Sequence, residues 1–165
     1  MKVQELMTSR PLTCGPESNL AEVAQLMWTG DCGIVPITDA TGKLLGVITD
    51  RDICMAAATQ NLAPAQIMTA QLPHGDVFAC RPDDDAEIAL TLMRDHRIRR
   101  VPVTESDGTL VGILSLNDLT LAAEDYADVT AADVLRAMKG ICSHPRFIAA
   151  VAPAPTVKRA GAGSA

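Results

Sequence analysis

The sequence predicts an α/β (α+β) protein that contains two copies of one β-α-β-β-α unit. Gly46–Asp52 (GVITDRD) returns as Gly112–Asp118 (GILSLND), an offset of 66 residues (112 − 46). Short apolar strands and amphipathic helices alternate in the same order within each copy. Two similar units are expected to pack with approximate two-fold symmetry and to leave a cleft between them. The same offset relates Cys14 and Cys80, Leu26-Met27 and Leu92-Met93, Val35-Pro36 and Val101-Pro102, and Gly42 and Gly108.

The composition favours a globular protein whose core is largely aliphatic. Of the 165 residues, 48% are hydrophobic but only 2% are aromatic, so Val, Ile, Leu, Met and Ala must fill the core. The net charge of −6 argues against nucleic acid as a partner. No apolar stretch reaches the ~20 residues of a membrane span, and the first residues do not resemble a signal peptide. We therefore expect a cytoplasmic protein without membrane contact, whose five cysteines are free thiols.

The first repeat is predicted to begin with a helical turn and to close with a helix. Ser18 or Asn19 can cap the central helix, whose apolar positions follow a helical spacing. Pro36 removes a hydrogen-bond donor from the first long strand, which indicates a sheet edge or a bulge. In chain order the predicted elements are a turn at 3–7, an extended piece at 12–14, a helix at 19–29, strands at 33–37 and 44–48, and a helix from residue 49.

The second repeat is predicted to follow the same order. Its first helix is expected to turn Ile88, Leu92 and Met93 inward, and strands at 100–103 and 110–114 precede a helix at 117–123. Ile67–Thr69 matches Leu6–Thr8 at an offset of 61 (67 − 6), which predicts a loop five residues longer (66 − 61) at 71–77.

The remaining residues are predicted to form one more helix and a tail. Thr130 can cap a helix that Gly140 would end. Its apolar positions are Ala132, Val134, Leu135 and Met138. The segment from 149 is rich in Ala, Pro and Gly and shows no periodic pattern. The predicted division is repeat one at 1–60, repeat two at 61–125, a helix and extension at 126–145, and a mobile tail at 146–165.

Several of these features together resemble the cystathionine-β-synthase (CBS) domain. They are the Met-Thr start, the Val-Pro strand, and a closing motif of Gly, two apolar residues, Thr or Ser, two further residues and Asp. Over residues 3–58 and 65–123 the chain is similar to stand-alone tandem CBS proteins (Bateman modules), including the bacterial hypoxic-response type. The resemblance implies a homodimer formed through helices 19–29 and 86–95 and the closing helices, with Trp28 as a candidate interface residue.

The resemblance also implies an adenosine nucleotide, such as AMP, ADP or ATP, in the cleft between the repeats. The motif Asp would accept hydrogen bonds from ribose hydroxyls, and the motif Thr or Ser would lie near the phosphate or ribose at a helix N-terminus. Residues around the Val-Pro strand would hold the adenine. The implied residues are Ile34, Val35, Thr49, Arg51 and Asp52 in the first repeat, and Arg99, Arg100, Val101, Ser115, Asn117 and Asp118 in the second.

The two copies differ in charge before the Val-Pro strand. The second repeat carries Arg99 and Arg100 there, whereas the first carries Gly33 and Ile34. In the first repeat, Arg51 can replace the missing positive charge only in part. We therefore predict that the site around Ser115 and Asp118 binds the nucleotide better than its counterpart in the first repeat.

Two alternatives stay open from the residues alone. The Thr49–Asp52 and Ser115–Asp118 motifs are also capping boxes, each worth ~1 kcal/mol without any ligand, as in a ligand-free structural, interaction or stress-response protein. Cys142 and His144 are half of a zinc site, which Cys14, Cys32, His74 or a second subunit would have to complete in a zinc- or redox-responsive variant. We expect a regulatory module that requires no cofactor and is not an enzyme, with an unidentified protein partner.

Overall fold

Short helices and short strands alternate along the chain, which confirms the mixed α/β class. The computed structural model describes residues 1–72, 75–125 and 129–143, so the tail predicted at 146–165 lies outside the described residues. The elements are α1 (Val3–Leu6), β1 (Thr8–Ser9), α2 (Leu20–Thr29), β2 (Ile34–Thr38), β3 (Leu44–Thr49), α3 (Asp50–Gln60), 3₁₀ turns at Pro64–Gln66 and Thr69–Gln71, α4 (Ala86–His96), β4 (Arg100–Thr104), β5 (Leu110–Ser115), α5 (Leu116–Asp125) and α6 (Ala131–Cys142). Over these ranges, none of the helices is both long and apolar enough to cross a bilayer.

Side-chain caps begin several of the helices, including α2, α3 and α6. The Asn19 side-chain oxygen accepts hydrogen bonds from the amides of Ala21 (3.1 Å) and Glu22 (3.0 Å), so Asn19 rather than Ser18 caps α2. Thr130 caps α6 as predicted, and its hydroxyl accepts a hydrogen bond of 3.3 Å from the Asp133 amide. These contacts satisfy amides that have no partner within the helix.

Each repeat contains an antiparallel pair of long strands with the same irregularity. Pro36 pairs with Val47 in the β2–β3 ladder, and the register shifts between Ile37 and Thr38. The β4–β5 ladder shifts at the equivalent step, between Val103 and Thr104. The edge or bulge that Pro36 predicts is therefore present, since β2 and β3 form a two-stranded sheet and the irregularity follows Pro36 by one residue.

The opening segment of each repeat packs on the core of the other repeat. Val3 is fully buried in the core that contains Met93 and Leu114, while Ile67 is fully buried in the core that contains Leu20 and Val35. Strand β1 extends this exchange, because it pairs antiparallel with β5 of the second repeat. Residues from both halves consequently line the space between them.

The match of Ile67–Thr69 with Leu6–Thr8 is wrong as a structural equivalence. The Val3 amide donates to the Asp84 carbonyl and the Thr69 amide donates to the Ser18 carbonyl, both at 2.9 Å. These two hydrogen bonds are related by the offset of 66 (69 − 3 and 84 − 18), not by 61. The hydrogen-bond partners thus show that Val3 corresponds to Thr69, whereas the similarity of the short segments Leu6–Thr8 and Ile67–Thr69 does not reflect equivalent positions. Residues 73 and 74, which correspond to Met7 and Thr8 at this offset, lie outside the described residues.

The buried face of α4 differs in part from the predicted one. Met93 is fully buried and Leu92 packs against the core, but Ile88 is 46% exposed, so its inward prediction is wrong. The buried positions are spaced by three or four residues, as one face of a helix requires. They are Ala86, Ala89, Leu90 and Met93.

Helix α6 covers α4 and α5 and continues past Gly140. It buries Val134, Ala137 and Ile141. Of the four apolar positions noted in the sequence, only Val134 is buried, since Ala132 and Met138 are exposed and Leu135 is 61% exposed. Gly140 does not end the helix, since α6 runs to Cys142. A side chain at position 140 would collide with the stem of Arg94 on α4. The glycine thus permits close approach of two helices.

Candidate ligand-binding clefts

A cleft lies beside the motif of the second repeat. It has a volume of about 360 Å³, within the range of about 300 to 1,000 Å³ that is common for small-molecule sites. We call it the Ser115 cleft. Its lining comes from both repeats: Thr8, Arg10–Leu12, Gly30–Cys32 and Ile34 from the first, and Arg100, Ile113, Ser115, Asn117 and Asp118 from the second.

An equivalent cleft, the Thr49 cleft, lies beside the motif of the first repeat, and its volume is also about 360 Å³. An adjoining cavity of about 390 Å³ contains Asp52 and shares Val47, Asp76 and Val77 with it, so the two form one groove. The Thr49 cleft is lined by Gly33, Ile34, Val47, Thr49–Arg51, Asp76–Phe78, Arg97–Arg100 and Pro102.

Ser115 and Asp118 form a reciprocal cap at the start of α5. The Ser115 amide and hydroxyl donate to Oδ2 of Asp118 at 2.8 and 2.7 Å, and the Asp118 amide donates back to the hydroxyl at 3.2 Å. Within the described part of the chain, Oδ1 of Asp118 accepts no hydrogen bond. That oxygen is an acceptor at the wall of the Ser115 cleft.

Thr49 and Asp52 repeat this geometry at the start of α3. The Thr49 amide and hydroxyl donate to Oδ2 of Asp52 at 2.9 and 2.6 Å, and the Asp52 amide donates to the hydroxyl at 3.3 Å. Both motifs are therefore capping boxes. Since each cap occupies one carboxylate oxygen, capping is compatible with a ligand bound through the other.

The arginines are distributed differently from the sequence prediction. Arg99 lines the Thr49 cleft and not the Ser115 cleft, so its assignment to the Ser115 site is wrong. Residue 99 precedes β4 and faces the motif of the other repeat across the pseudo-two-fold axis. The argument that made the Ser115 site the better one therefore loses its main support.

The charges of the two clefts differ. The groove formed by the Thr49 cleft and its adjoining cavity contains four arginines (51, 97, 99 and 100) and three aspartates (50, 52 and 76), a formal balance of +1 (4 − 3). The Ser115 cleft contains Arg10 and Arg100 with Asp31 and Asp118, a balance of 0 (2 − 2). A phosphate group is therefore attracted more strongly to the net positive Thr49 cleft than to the Ser115 cleft, whose charges balance.

The other predicted residues divide into three groups. Ile34 and Arg100 line both clefts, while Asn117 and Arg51 each line one. Asp52 lies in the cavity that adjoins the Thr49 cleft. Val35 and Val101 are fully buried in the two cores, so their side chains support the clefts from behind.

The sequence analysis missed one loop in each repeat. Arg10–Leu12 lines the Ser115 cleft, and Asp76–Phe78 lines the Thr49 cleft. The offset of 66 relates these loops (76 − 10) and also relates Asp31 to Arg97, both of which have a left-handed backbone with φ of 47° and 55°. Applying the offset to the loops as well as to the motifs would have found these residues.

Only part of the predicted zinc site lies within the described residues. Cys142 is exposed at the end of α6, while His144 and His74 lie outside the described residues. Burial raises the pKa of the Cys14 thiol to about 11, with a smaller contribution from Glu17, which disfavours the thiolate that zinc requires. No group of three or more His, Cys, Asp or Glu side chains with suitable geometry occurs in the ranges given above.

Comparison with known proteins gives one family. The CBS domain model matches residues 3–59 and 65–125. The CBS domain-containing protein YhcV of Bacillus subtilis is 32% identical over 119 residues, which are 72% of this chain and 83% of YhcV.

Two solved structures have the same fold. Hypoxic Response Protein I, a crystal structure with two coordinated zinc ions, is 27% identical with a TM-score of 0.67, over 73% of this chain and 98% of that one. The CBS domain pair of MJ0100, in complex with 5′-methylthioadenosine and S-adenosyl-L-methionine, is 25% identical with a TM-score of 0.66, over 76% and 97% of the two chains.

Proposed function

Because the chain belongs to the CBS-domain family, we propose that it is a regulatory module that senses an adenosine-containing ligand. The observation that carries the proposal is the pair of clefts, each with a cap carboxylate and arginines at or beside its wall. CBS-domain pairs are regulatory, and relatives that are enzymes carry further domains. We propose no catalytic role for any residue of this chain.

The two clefts are suited to different ligands. In the Ser115 cleft, Oδ1 of Asp118 would accept hydrogen bonds from ribose hydroxyls, and the balanced charge suits an adenosine ligand with little negative charge. The methylthioadenosine and S-adenosylmethionine bound to MJ0100 are ligands of that class. In the Thr49 cleft, the excess of arginine suits the phosphates of AMP, ADP or ATP.

Ligand binding would change the relative orientation of the two repeats. Each cleft takes side chains from both halves, so a bound ligand favours the arrangement in which both halves contact it. The resulting change in the angle between the repeats would alter the surface presented to a protein partner. This is the step through which the module would signal.

The test is calorimetric titration with AMP, ATP and S-adenosylmethionine. We expect wild-type protein to bind ATP, Arg99→Glu to bind it at least tenfold more weakly, and Asp118→Ala to lose S-adenosylmethionine binding while retaining ATP. Arg81→Glu, an exposed arginine outside both clefts, is the matched control for charge. Absence of heat with all three ligands would favour the ligand-free interaction protein. Saturable binding of zinc alone would favour the zinc-responsive alternative.

We further propose a homodimer formed through α2 and α3 of the first repeat. Trp28 on α2 is 85% exposed, and Met55 on α3 is also exposed. In the second repeat, α6 packs on α4 and α5 and covers part of this face. Leu121 on α5, the counterpart of Met55 at the offset of 66 (121 − 55), is nevertheless 70% exposed, so α5 adds an apolar side chain to the exposed surface. Light scattering with Trp28→Glu should show loss of the dimer. Leu135→Glu, a similar change on exposed α6, should retain it, and a monomeric wild type refutes the proposal.

A further inference from the structure

We propose that Arg100 is a single cation shared by the two clefts, so that an anionic ligand in one cleft weakens the binding of an anionic ligand in the other. This inference rests on the proposed nucleotide function and adds its regulation. It requires that Arg100 reach both clefts, that no other group hold it, and that its pseudo-symmetric counterpart carry no charge.

Arg100 reaches both clefts because it begins β4 next to the pseudo-two-fold axis. Its backbone pairs with Ser115 in the β4–β5 ladder, and directly paired residues project to the same face of a sheet. Its guanidinium extends toward the first repeat, where Nη2 lies 3.8 Å from the position that a Cβ at Gly33 would occupy. Arg100 therefore contributes to the walls of both clefts.

The guanidinium is not held by another residue. Within the described chain, the Arg100 side chain forms no ion pair or hydrogen bond, whereas Lys2, Arg94 and Arg136 each contact an aspartate at 2.7 or 2.8 Å. The side chain is half-buried, so an anion placed beside it would be screened less than at an open surface. An arginine in this state can move toward whichever cleft holds a phosphate.

The counterpart of Arg100 is Ile34, at the offset of 66 (100 − 34), and Ile34 also lines both clefts. One side of the axis thus offers a cation and the other offers an apolar side chain. If residue 34 were also an arginine, each cleft would have its own cation at this position, besides Arg10 in the Ser115 cleft and the other three arginines of the Thr49 cleft. With Arg100 alone, a phosphate that draws the guanidinium into the Thr49 cleft removes it from the Ser115 cleft. An uncharged ligand has no such effect.

The experiment measures how AMP binding at the Ser115 cleft depends on occupancy of the Thr49 cleft. Calorimetry on wild type gives the weaker, second binding step, and Asp118→Ala identifies that step by removing it. Arg99→Glu weakens the Thr49 cleft and leaves Arg100 available to the other. We expect AMP to bind the Ser115 cleft of Arg99→Glu at least about fivefold more tightly than in the second step of wild type.

The direction of this change is diagnostic, since a general loss of positive charge would weaken AMP binding. In the Arg100→Ile background, which copies the residue found at position 34, Arg99→Glu should give no tightening. In the Arg100→Lys background, which keeps the charge, Arg99→Glu should still tighten AMP binding. Adenosine, which has no charge, should bind no more tightly to any of these variants.

The outcomes separate the two proposals. Two AMP steps in wild type without tightening in Arg99→Glu, or tightening that persists with Arg100→Ile, overturns the shared cation and leaves the nucleotide function standing. No binding of AMP or adenosine to wild type overturns the nucleotide function, and the shared cation with it.

Discussion

The carbonyl of Gly42 accepts a hydrogen bond of 3.0 Å from the amide of Leu110, in the other repeat. The reciprocal bond, from the Leu44 amide to the Gly108 carbonyl, is also 3.0 Å. The two hairpin turns therefore meet at the pseudo-two-fold axis, where two backbone hydrogen bonds connect the repeats. Because both carbonyls belong to glycines with positive φ, these two turn glycines are the positions at which a substitution should affect the contact most directly.

Replacing Gly108 by Ala should lower the free energy of unfolding by about 1 to 2 kcal/mol. Gly108 has φ of +89°, and nothing lies within 4 Å of an added Cβ, so the cost is conformational and not steric. Gly108→Asn should cost less because Asn tolerates a left-handed backbone. Urea unfolding measures both variants, and equal stability of Ala and Asn at this position would contradict the explanation.

Removing a cap hydroxyl should destabilise each closing helix equally. Thr49→Ala and Ser115→Ala should each lower the free energy of unfolding by about 1 kcal/mol, because each frees an amide at the start of a helix. Ser115→Thr keeps the hydroxyl and should stay within a few tenths of a kcal/mol of wild type. If the Ala variants are as stable as wild type in urea, the caps contribute nothing.

The buried side chain of Ile141 should contribute more to the free energy of unfolding than the exposed side chain of Leu135 on the same helix. Ile141→Ala should cost about 2 to 4 kcal/mol, because the side chain is buried in the core. Leu135→Ala, on the same helix but exposed, should cost less than about 0.5 kcal/mol. Chemical unfolding of the two variants side by side tests this, and similar losses would mean that α6 does not pack as described.

Stability should fall in acid partly through Asp133. The Thr130 side chain and then its backbone amide, followed by Arg136, hold the pKa of Asp133 below its ordinary value of 3.8. A carboxyl with a lowered pKa stabilises the native state above the unfolded pKa, and this contribution is lost as the pH falls through the folded pKa. Asp133→Asn should therefore flatten the pH dependence of unfolding below about pH 4. An unchanged slope between wild type and the variant would rule the contribution out.

The cysteines should differ in reactivity according to burial. Burial raises the pKa of Cys80 to about 11, as it does for Cys14, and each thiol lies in one of the two cores. The exposed Cys54 and Cys142 should react quickly with a disulfide reagent near neutral pH, whereas Cys14 and Cys80 should react only as the protein unfolds. Mass spectrometry identifies the labelled sites. Early labelling of Cys80 would mean that the second core opens readily.

Elements that depend on local pattern were predictable from the sequence. Helix α2 and its cap, the irregularity beside Pro36, and the two closing motifs lie where the spacing of apolar and polar residues places them. The caps depend on hydrogen bonds between residues within about four positions of each other, and the irregularity follows a proline that has no amide to donate. The outward position of Ile88 was not predictable, because the sequence does not reveal which face of α4 meets α6.

By itself, the sequence determined that there are two equivalent units, where each begins its closing helix, and which residues form the caps, because repetition and capping are both visible along the chain. Only the tertiary structure decided that the opening segments exchange, that Arg99 faces the motif of the other repeat, and that Arg100 serves both clefts. The reason is that these contacts form across the pseudo-two-fold axis, between residues far apart in sequence, whose meeting depends on how the two halves pack.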